Sequence, residues 1–197
     1  MNADWMRDER PRLAAERILD VAARLYVENG IAAVGMAEVA RAAGCSRATL
    51  YRYFDSRQSL QLAFVHREAR RIGVLVAEQV PATGDPKDVI VDAVLTAIRL
   101  VRADPTLAAW FQLGDSGLAA QIAHSSDVIE SLGTAFLGQA GFSGEESSRR
   151  ARWLVRIIVS LLTVPGLDDA DERAMLEQFV APALAARETD DRDARSI

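Results

Sequence analysis

The sequence predicts an all-α fold, and three observations carry that prediction. Between breaks, apolar residues recur at intervals of three and four, the period of one helix face. The breaks themselves are helix punctuation: Asn29-Gly30, Gly44, PATGDP at 81–86, GQAGFSG at 138–144 and Pro165-Gly166. No segment shows the strict alternation of a half-buried strand. About nine helices are expected. The first three form a head over residues 1–56, a helical body follows over 57–187, and the acidic stretch 188–197 reads as a disordered tail.

Residues 1–10 have mixed charge and no period, as a mobile arm would. A first helix is expected from about Pro11, a residue suited to a first helical position, to Glu28, with Ile18, Leu19, Ala22, Leu25 and Tyr26 inward. Residues 34–54, VGMAEVARAAGCSRATLYRYF, then hold two short helices. Met36, Val39, Ala40 and Ala43 give the earlier one its buried face, Gly35 is a tolerated cap, Glu38 suits the positive helix end, and Val34 can staple to Val39. Gly44 ends it. Ser46 can cap the later helix, and Leu50 and Phe54, four apart, give that helix a buried edge. At 100° per residue, Ala48, Thr49 and Arg52 point away from this edge, Tyr51 and Tyr53 flank it, and Arg47 lies in the first turn. A purely structural corner has no use for an outward basic and aromatic face. The pair therefore reads as a helix-turn-helix that lays its second helix in a DNA groove.

Asp55-Ser56 supply a cap for a long helix reaching about Val80, with Leu62, Val65, Ala69, Ile72, Val76 and Val80 on one face. It is long enough to leave the head and enter the body. Asp85 and Pro86 open a helix ending near Asp104, a short helix covers about 105–112, and a seventh runs from about Leu118 to Gln139 with Ile122, Ile129, Leu132 and Phe136 inward. Ser143 and Glu146 form a capping box for the eighth, in which Trp153–Val164 is apolar nearly all round apart from Arg156, Ser160 and Thr163. A ninth starts at about Asp169, with Leu176, Phe179, Val180, Ala183 and Leu184 on one face and Pro182 bending or ending it. In a chain this short little is left to cover these last two helices, so a second copy is expected to do so.

Half of the 197 residues are apolar, enough for a proper core. Cys45 is the only cysteine, which excludes an internal disulfide. With two histidines besides, a zinc site is not expected, and no cofactor motif is present. The first residues lack an apolar signal region and no apolar run reaches membrane-spanning length, so a cytoplasmic protein without a membrane segment is expected. The net charge is −5, but residues 1–71 carry 12 Arg against nine carboxylates whereas 72–197 carry 11 Arg and Lys against 19. A basic head on an acidic body orients the head toward phosphates.

AEVARAAGCSRATLYRYFDSRQSL resembles the DNA-binding signature of the TetR family of transcriptional regulators: a small-residue helix, an Ala-Gly turn, a short recognition helix ending in Leu-Tyr-x-Tyr-Phe, and a basic residue opening the next helix. The resemblance runs from about Arg12 to Leu62. Gly35 departs from the usual Thr or Ser, and Arg57 from the usual Lys. The resemblance implies DNA contact by the second helix and by Arg57, a four-helix dimer interface built from the eighth and ninth helices, and a small-molecule effector pocket in the body.

The DNA-contacting set is thus Arg47, Ala48, Thr49, Tyr51, Arg52, Tyr53 and Arg57. The forked guanidiniums of Arg47 and Arg52 match guanine O6 and N7, while Tyr51, Tyr53 and Arg57 suit phosphates. Pocket candidates are Trp110, Phe111, Phe136 and Trp153, each equally suited to plain core. Arg156 can serve an anionic ligand or pair with a carboxylate. GDSG at 114–117 suggests a serine hydrolase, but it lies between helices without a partnered histidine and aspartate, and His66 and His124 read as isolated. No catalytic residue is assigned. The expected function is a repressor released from an inverted-repeat operator on double-stranded DNA by an apolar or amphipathic effector. The competing reading is a helical small-molecule carrier or enzyme using the same body.

Overall fold

In a computed structural model the chain is described over residues 5–111, 116–142 and 146–185, and for 5–10, Ser116, Ser125 and Ala185 through the backbone alone. The capping box at Ser143, the tail after Arg187 and the first half of GDSG lie outside those residues. Every described regular element is helical: α1 (Trp5–Asn29), α2 (Met36–Ala42), α3 (Arg47–Tyr53), α4 (Arg57–Gln79), α5 (Pro86–Ala103), α6 (Pro105–Ala108) with a 3₁₀ turn (Ala109–Phe111), α7 (Ser116–Ser125), α8 (Asp127–Gln139), α9 (Ser147–Thr163), α10 (Asp169–Met175) and, after a π-turn (Leu176–Val180), α11 (Ala181–Ala185).

Four boundaries differ from expectation, each for a physical reason. Helix α1 starts at Trp5 and carries Pro11 inside it, because proline's fixed φ is helical and its cost falls on the preceding turn alone. The short sixth helix tightens to 3₁₀ from Ala109. The expected seventh helix is two, broken at Ser126, whose hydroxyl accepts from the Ile129 amide and starts α8 afresh. Pro182 does not end the last helix. The turn before it widens, Ala181 N–H reaching back to the Leu176 carbonyl, and the ring is accommodated.

Two cores result. The first joins α1, α2, α3 and the amino half of α4 to Leu107, Trp110, Ala119 and Ile122 of the body. The second joins α5, α8 and α9 to the last helical segments, and Phe111 and Val101 pack against both. Small residues let α8 and α9 approach closely: a methyl on Gly133 would sit 3.2 Å from the Ala151 Cβ.

Helix α4 buries Leu60, Gln61, Phe64 and Glu68, a stripe rotated by about a third of the helix circumference from the face that the apolar pattern indicates, and of that expected face Val76 alone is buried. Glu68 is 6% exposed and is compensated by its own helix, Arg67 Nε lying 2.9 Å and Arg71 Nε 2.6 Å from its two oxygens. Arg67 continues to Glu16 and Asp20 of α1, at 3.2 and 2.7 Å, and Arg71 to Asp104, the cap of α6. The ion-pair chain therefore ties head to body across α4.

A second buried carboxylate closes the far end. Glu172, 2% exposed, takes both terminal nitrogens of Arg102 at 2.6 and 2.9 Å and the Gly166 amide at 2.9 Å. The Arg102 hydrogen bonds and the Gly166 amide hold its carboxyl below the usual range. Stability from this group is present above the unfolded carboxyl's ordinary value and is lost as pH falls through the depressed native one. Glu172→Ala is expected to cost about 3 kcal/mol at neutral pH. Glu172→Gln is expected to flatten the loss of stability on acidification, as measured by urea unfolding from pH 7 down to pH 3.

Candidate nucleic-acid interface

The helix-turn-helix is built as its residue types require. Gly35 is the extended cap of α2 and contributes no side-chain hydrogen bond, while Val34 and Val39, on either side of that cap, are both buried to within 1%. Glu38 in the first turn accepts from Asn29 Nδ2 at 3.1 Å, tying α2 to the end of α1. Gly44 sits at φ +67°, the left-handed conformation that stops α2 and turns the chain toward α3. Ser46 then caps α3, its Oγ accepting from the Thr49 amide at 3.0 Å. Leu50 is fully buried and Phe54 nearly so, which clamps α3 by one edge.

The opposite side is open. Arg47, Ala48, Tyr51 and Arg52 are exposed, Tyr51 by 48%, and Tyr53 is half-buried. Arg52 lies over the Tyr53 ring, 5.6 Å from its centroid, a cation–π contact that restricts the guanidinium. Thr49 is placed differently from its neighbours: its hydroxyl is 2.8 Å from Ser46 Oγ, so it belongs to the cap. Arg41, exposed in the last turn of α2, is a further basic group that the sequence reading passed over. Its signal was its place opposite Val39 and Ala40.

Arg57 is half-buried and turned inward. Its Nη2 donates to the Ile31 carbonyl, and its Nε is sealed from solvent without a hydrogen-bond partner. Its charge bears on Tyr26, whose phenol is pushed up to about 12 by burial, with Arg57 pulling the other way. The first turn of α4 is instead organised by a capping box between Ser56 and Ser59.

The four aromatic residues singled out in the body do not gather around one cavity. Trp110, 3% exposed, stacks on Phe64 at 5.7 Å and 8° and meets Tyr26 edge-on at 5.6 Å. Phe111 touches both cores, and Phe136 and Trp153 pack on the second. An open groove of ~830 Å³ lies between α5, α10 and the α4–α5 connection, and none of the four lines it. His66 is not isolated: its Nε2 lies 2.8 Å from Ser126 Oγ, the hydroxyl that caps α8, and burial and Arg70 push the imidazole down while Asp127 opposes them. His124 is exposed and lines a small cavity with Arg152 and Arg156. Among the described residues no group of three His, Cys, Asp or Glu could hold a metal ion, and no helix is long and apolar enough to cross a membrane.

A capped helix-turn-helix on an all-helical body defines a DNA-binding transcriptional regulator. The model for bacterial regulatory proteins of the tetR family matches residues 18–64. An HTH-type transcriptional regulator of Mycobacterium tuberculosis is 47% identical over 182 residues, covering 92% of this chain and 90% of the relative. The chain belongs to the TetR family. In fold it is similar to the TetR family repressor AlkX from Dietzia sp., implicated in biodegradation of n-alkanes, at TM-score 0.65 and 22% identity over 86% of this chain and 97% of that one. It is also similar to RolR in complex with resorcinol, at TM-score 0.62 and 20% identity over 91% and 96%.

Because Arg57 is engaged with Ile31, Arg57→Ala is expected to lower the thermal midpoint by several degrees, about 1–2 kcal/mol for a lost charged hydrogen bond. The slope of log affinity for DNA against log salt should change by less than one phosphate contact. Thermal unfolding and a salt series of DNA titrations check the two halves. Gly35→Ser meets open space at the Cβ, and is expected to stabilise the head by a few tenths of a kcal/mol in urea unfolding.

Proposed function

We propose that this regulator is a homodimeric repressor that grips an inverted-repeat operator with α3 of each copy and lets go when a small apolar or amphipathic effector occupies the body. The observation that carries the DNA half is the open side of α3, where Arg47, Tyr51 and Arg52 stand exposed while Leu50 and Phe54 anchor the helix from behind. Arg47 and Arg52 supply forks for base edges, and Tyr51 and Tyr53 supply hydroxyls for phosphates. Residues 1–56 are the DNA-binding unit in this reading, and 57–187 the regulatory and dimerising one. A bacterial transcription factor works where the chromosome is, so the cytoplasm is its site of action.

One α3 offers a small interface, so useful affinity needs two held a helical turn of DNA apart. The dimer is assigned to α9 and the α10–α11 segment. Phe179 is 62% exposed, and Val164 and Leu167, in the turn joining the two, are exposed by 70% and 92%. Apolar groups this open on neighbouring elements favour a covering partner. Repressor polarity and release by an effector are supported by AlkX, a repressor of this fold, and by RolR, which takes resorcinol. The effector acts through α4, which is built into the first core and whose C-cap, Val80, packs on the second, shifting it and so changing the separation of the heads, with a coupling of about 1–3 kcal/mol.

In gel shifts against DNA upstream of its own reading frame, Arg47→Ala or Arg52→Ala is expected to relax preference at one base position by about 1–3 kcal/mol. A Tyr51→Ala/Arg52→Ala double variant that kept full operator affinity across salt concentrations would overturn the assignment of α3. Phe179→Asp, at an exposed position, is expected to leave the helical content of the chain intact by circular dichroism, to yield monomers by sedimentation, and to weaken operator binding at least tenfold.

A further inference from the structure

The groove between α5 and α10 has a chemistry of its own. Its floor is apolar, with Val89 and Ile98 belonging to the second core and Leu95 beside them. Its walls carry five carboxylates against three guanidiniums. Two of the guanidiniums are neutralised within the protein: Arg102 by Glu172, and Arg173 by Asp92 at 2.8 Å and Glu177 at 3.4 Å. The third, Arg99, donates to the amide oxygen of Gln79 at 3.0 Å. Asp85 is occupied as the cap of α5, accepting from the Lys87 amide. Asp88, in the first turn of α5, and Asp169, in the first turn of α10, are exposed and pair with no cation among the described residues. Thr96 supplies an independent sign of a ligand. It is 7% exposed, it lines the groove, and its hydroxyl has no hydrogen-bond partner among the described residues. Its oxygen is not among the atoms sealed from solvent, so it opens into the groove and is free to exchange water for a polar atom of an occupant.

We infer that this groove is a binding site for an amphipathic organic cation. The apolar body lies over Val89, Leu95 and Ile98, a polar atom meets the Thr96 hydroxyl, and the cationic head sits between Asp88 and Asp169. At ~830 Å³ the space is of the size that takes a drug-sized molecule. A net-acidic wall rejects an anion of the same shape by leaving carboxylates facing it. Binding here does not depend on the repressor reading. Its consequence at the operator rests on that reading, because the groove is closed on one side by Gln79 and Val80, the end of α4.

The test uses the full chain and octyltrimethylammonium, with octyl glucoside and octyl sulfate as chain-matched neutral and anionic probes, all below their micelle concentrations, in calorimetric titrations. The ammonium is expected to bind once per chain, about tenfold or more tighter than either control, and to weaken as salt rises. Asp88→Asn/Asp169→Asn should reduce its affinity about tenfold while leaving octyl glucoside binding and the thermal midpoint unchanged. Thr96→Val, which keeps the shape and removes the hydroxyl, should weaken it several-fold. Equal affinity for the ammonium and the glucoside, or an ammonium affinity indifferent to the double variant, overturns the site. A gel shift with the same ammonium separates the two readings. If it binds as described and operator affinity stays constant, the groove stands and release by its occupant falls.

Discussion

Phe64 is where the two halves of the molecule meet. Trp110 stacks on it in parallel and Tyr26 meets it edge-on, so one ring from α4 is held by one from α1 and one from the turn after α6. Aromatic pairs are directional, each contributing about 0.5–1.5 kcal/mol beyond the area it buries, and three mutually touching rings set the angle between their helices as well as the distance. The Arg67 guanidinium, 5.6 Å from the Phe64 centroid, extends the contact toward the ion pairs on the same helix. The cluster is not fully satisfied. Tyr26 Oη, Arg57 Nε, Gln61 Nε2 and Trp110 Nε1 are all sealed from solvent without a hydrogen-bond partner among the described residues, at a cost of about 1–3 kcal/mol each. Tight apolar packing at this joint works against unmet polar demand, and the set of the head on the body reflects the difference.

The two buried carboxylates solve a related problem in different ways. Glu68 is neutralised by its own helix, whose two arginines then reach outward to α1 and to the α6 cap. Glu172 is neutralised across helices by Arg102, and an amide completes its shell. That amide belongs to Gly166, where any Cβ would fall 2.7 Å from Glu172 Cγ. Removing Glu172 leaves Arg102 with the Leu161 carbonyl alone, whereas removing Glu68 leaves Arg67 on Glu16 and Asp20 and Arg71 on Asp104, so the cross-helix pair is the costlier to break.

The head was legible in the sequence because its rules are local. Gly44, Ser46, Leu50 and Phe54 each act within a turn of their own position, and each takes the conformation or burial that its type requires. What failed to show was set by distant partners. The apolar pattern of α4 pointed to Leu62, Val65 and Ile72, yet the deeper stripe includes Gln61, whose Nε2 is left without a partner among the described residues, and Glu68, which becomes tolerable inside because Arg67 and Arg71 meet it. Arg57 read as a phosphate ligand because the family resemblance implied that contact, and its turn toward Ile31, 26 residues away, depends on how α4 lies beside the end of α1. Trp110 read equally as pocket wall or plain core, and it lies in the first core; a stack across helices leaves no periodic trace by which the sequence could have decided. The break at Ser126 was written locally, as a serine with a free amide three residues on, and was hidden by the apolar rhythm on either side of it.

Helix α4 has 23 residues, rooted in the second core's surroundings at one end and in the head at the other. At about 1.5 Å per residue it is a rod of about 35 Å. With its head end locked by rings and ion pairs, the rod cannot absorb a tilt by bending at that joint, so the displacement arrives undiminished. A swing of about 5° over such a length moves the recognition helix by about 3 Å, close to the ~3.4 Å rise of one base step. Mechanical advantage of this kind means that an angular change small enough to leave the body's packing intact is enough to put the reader out of step with its text.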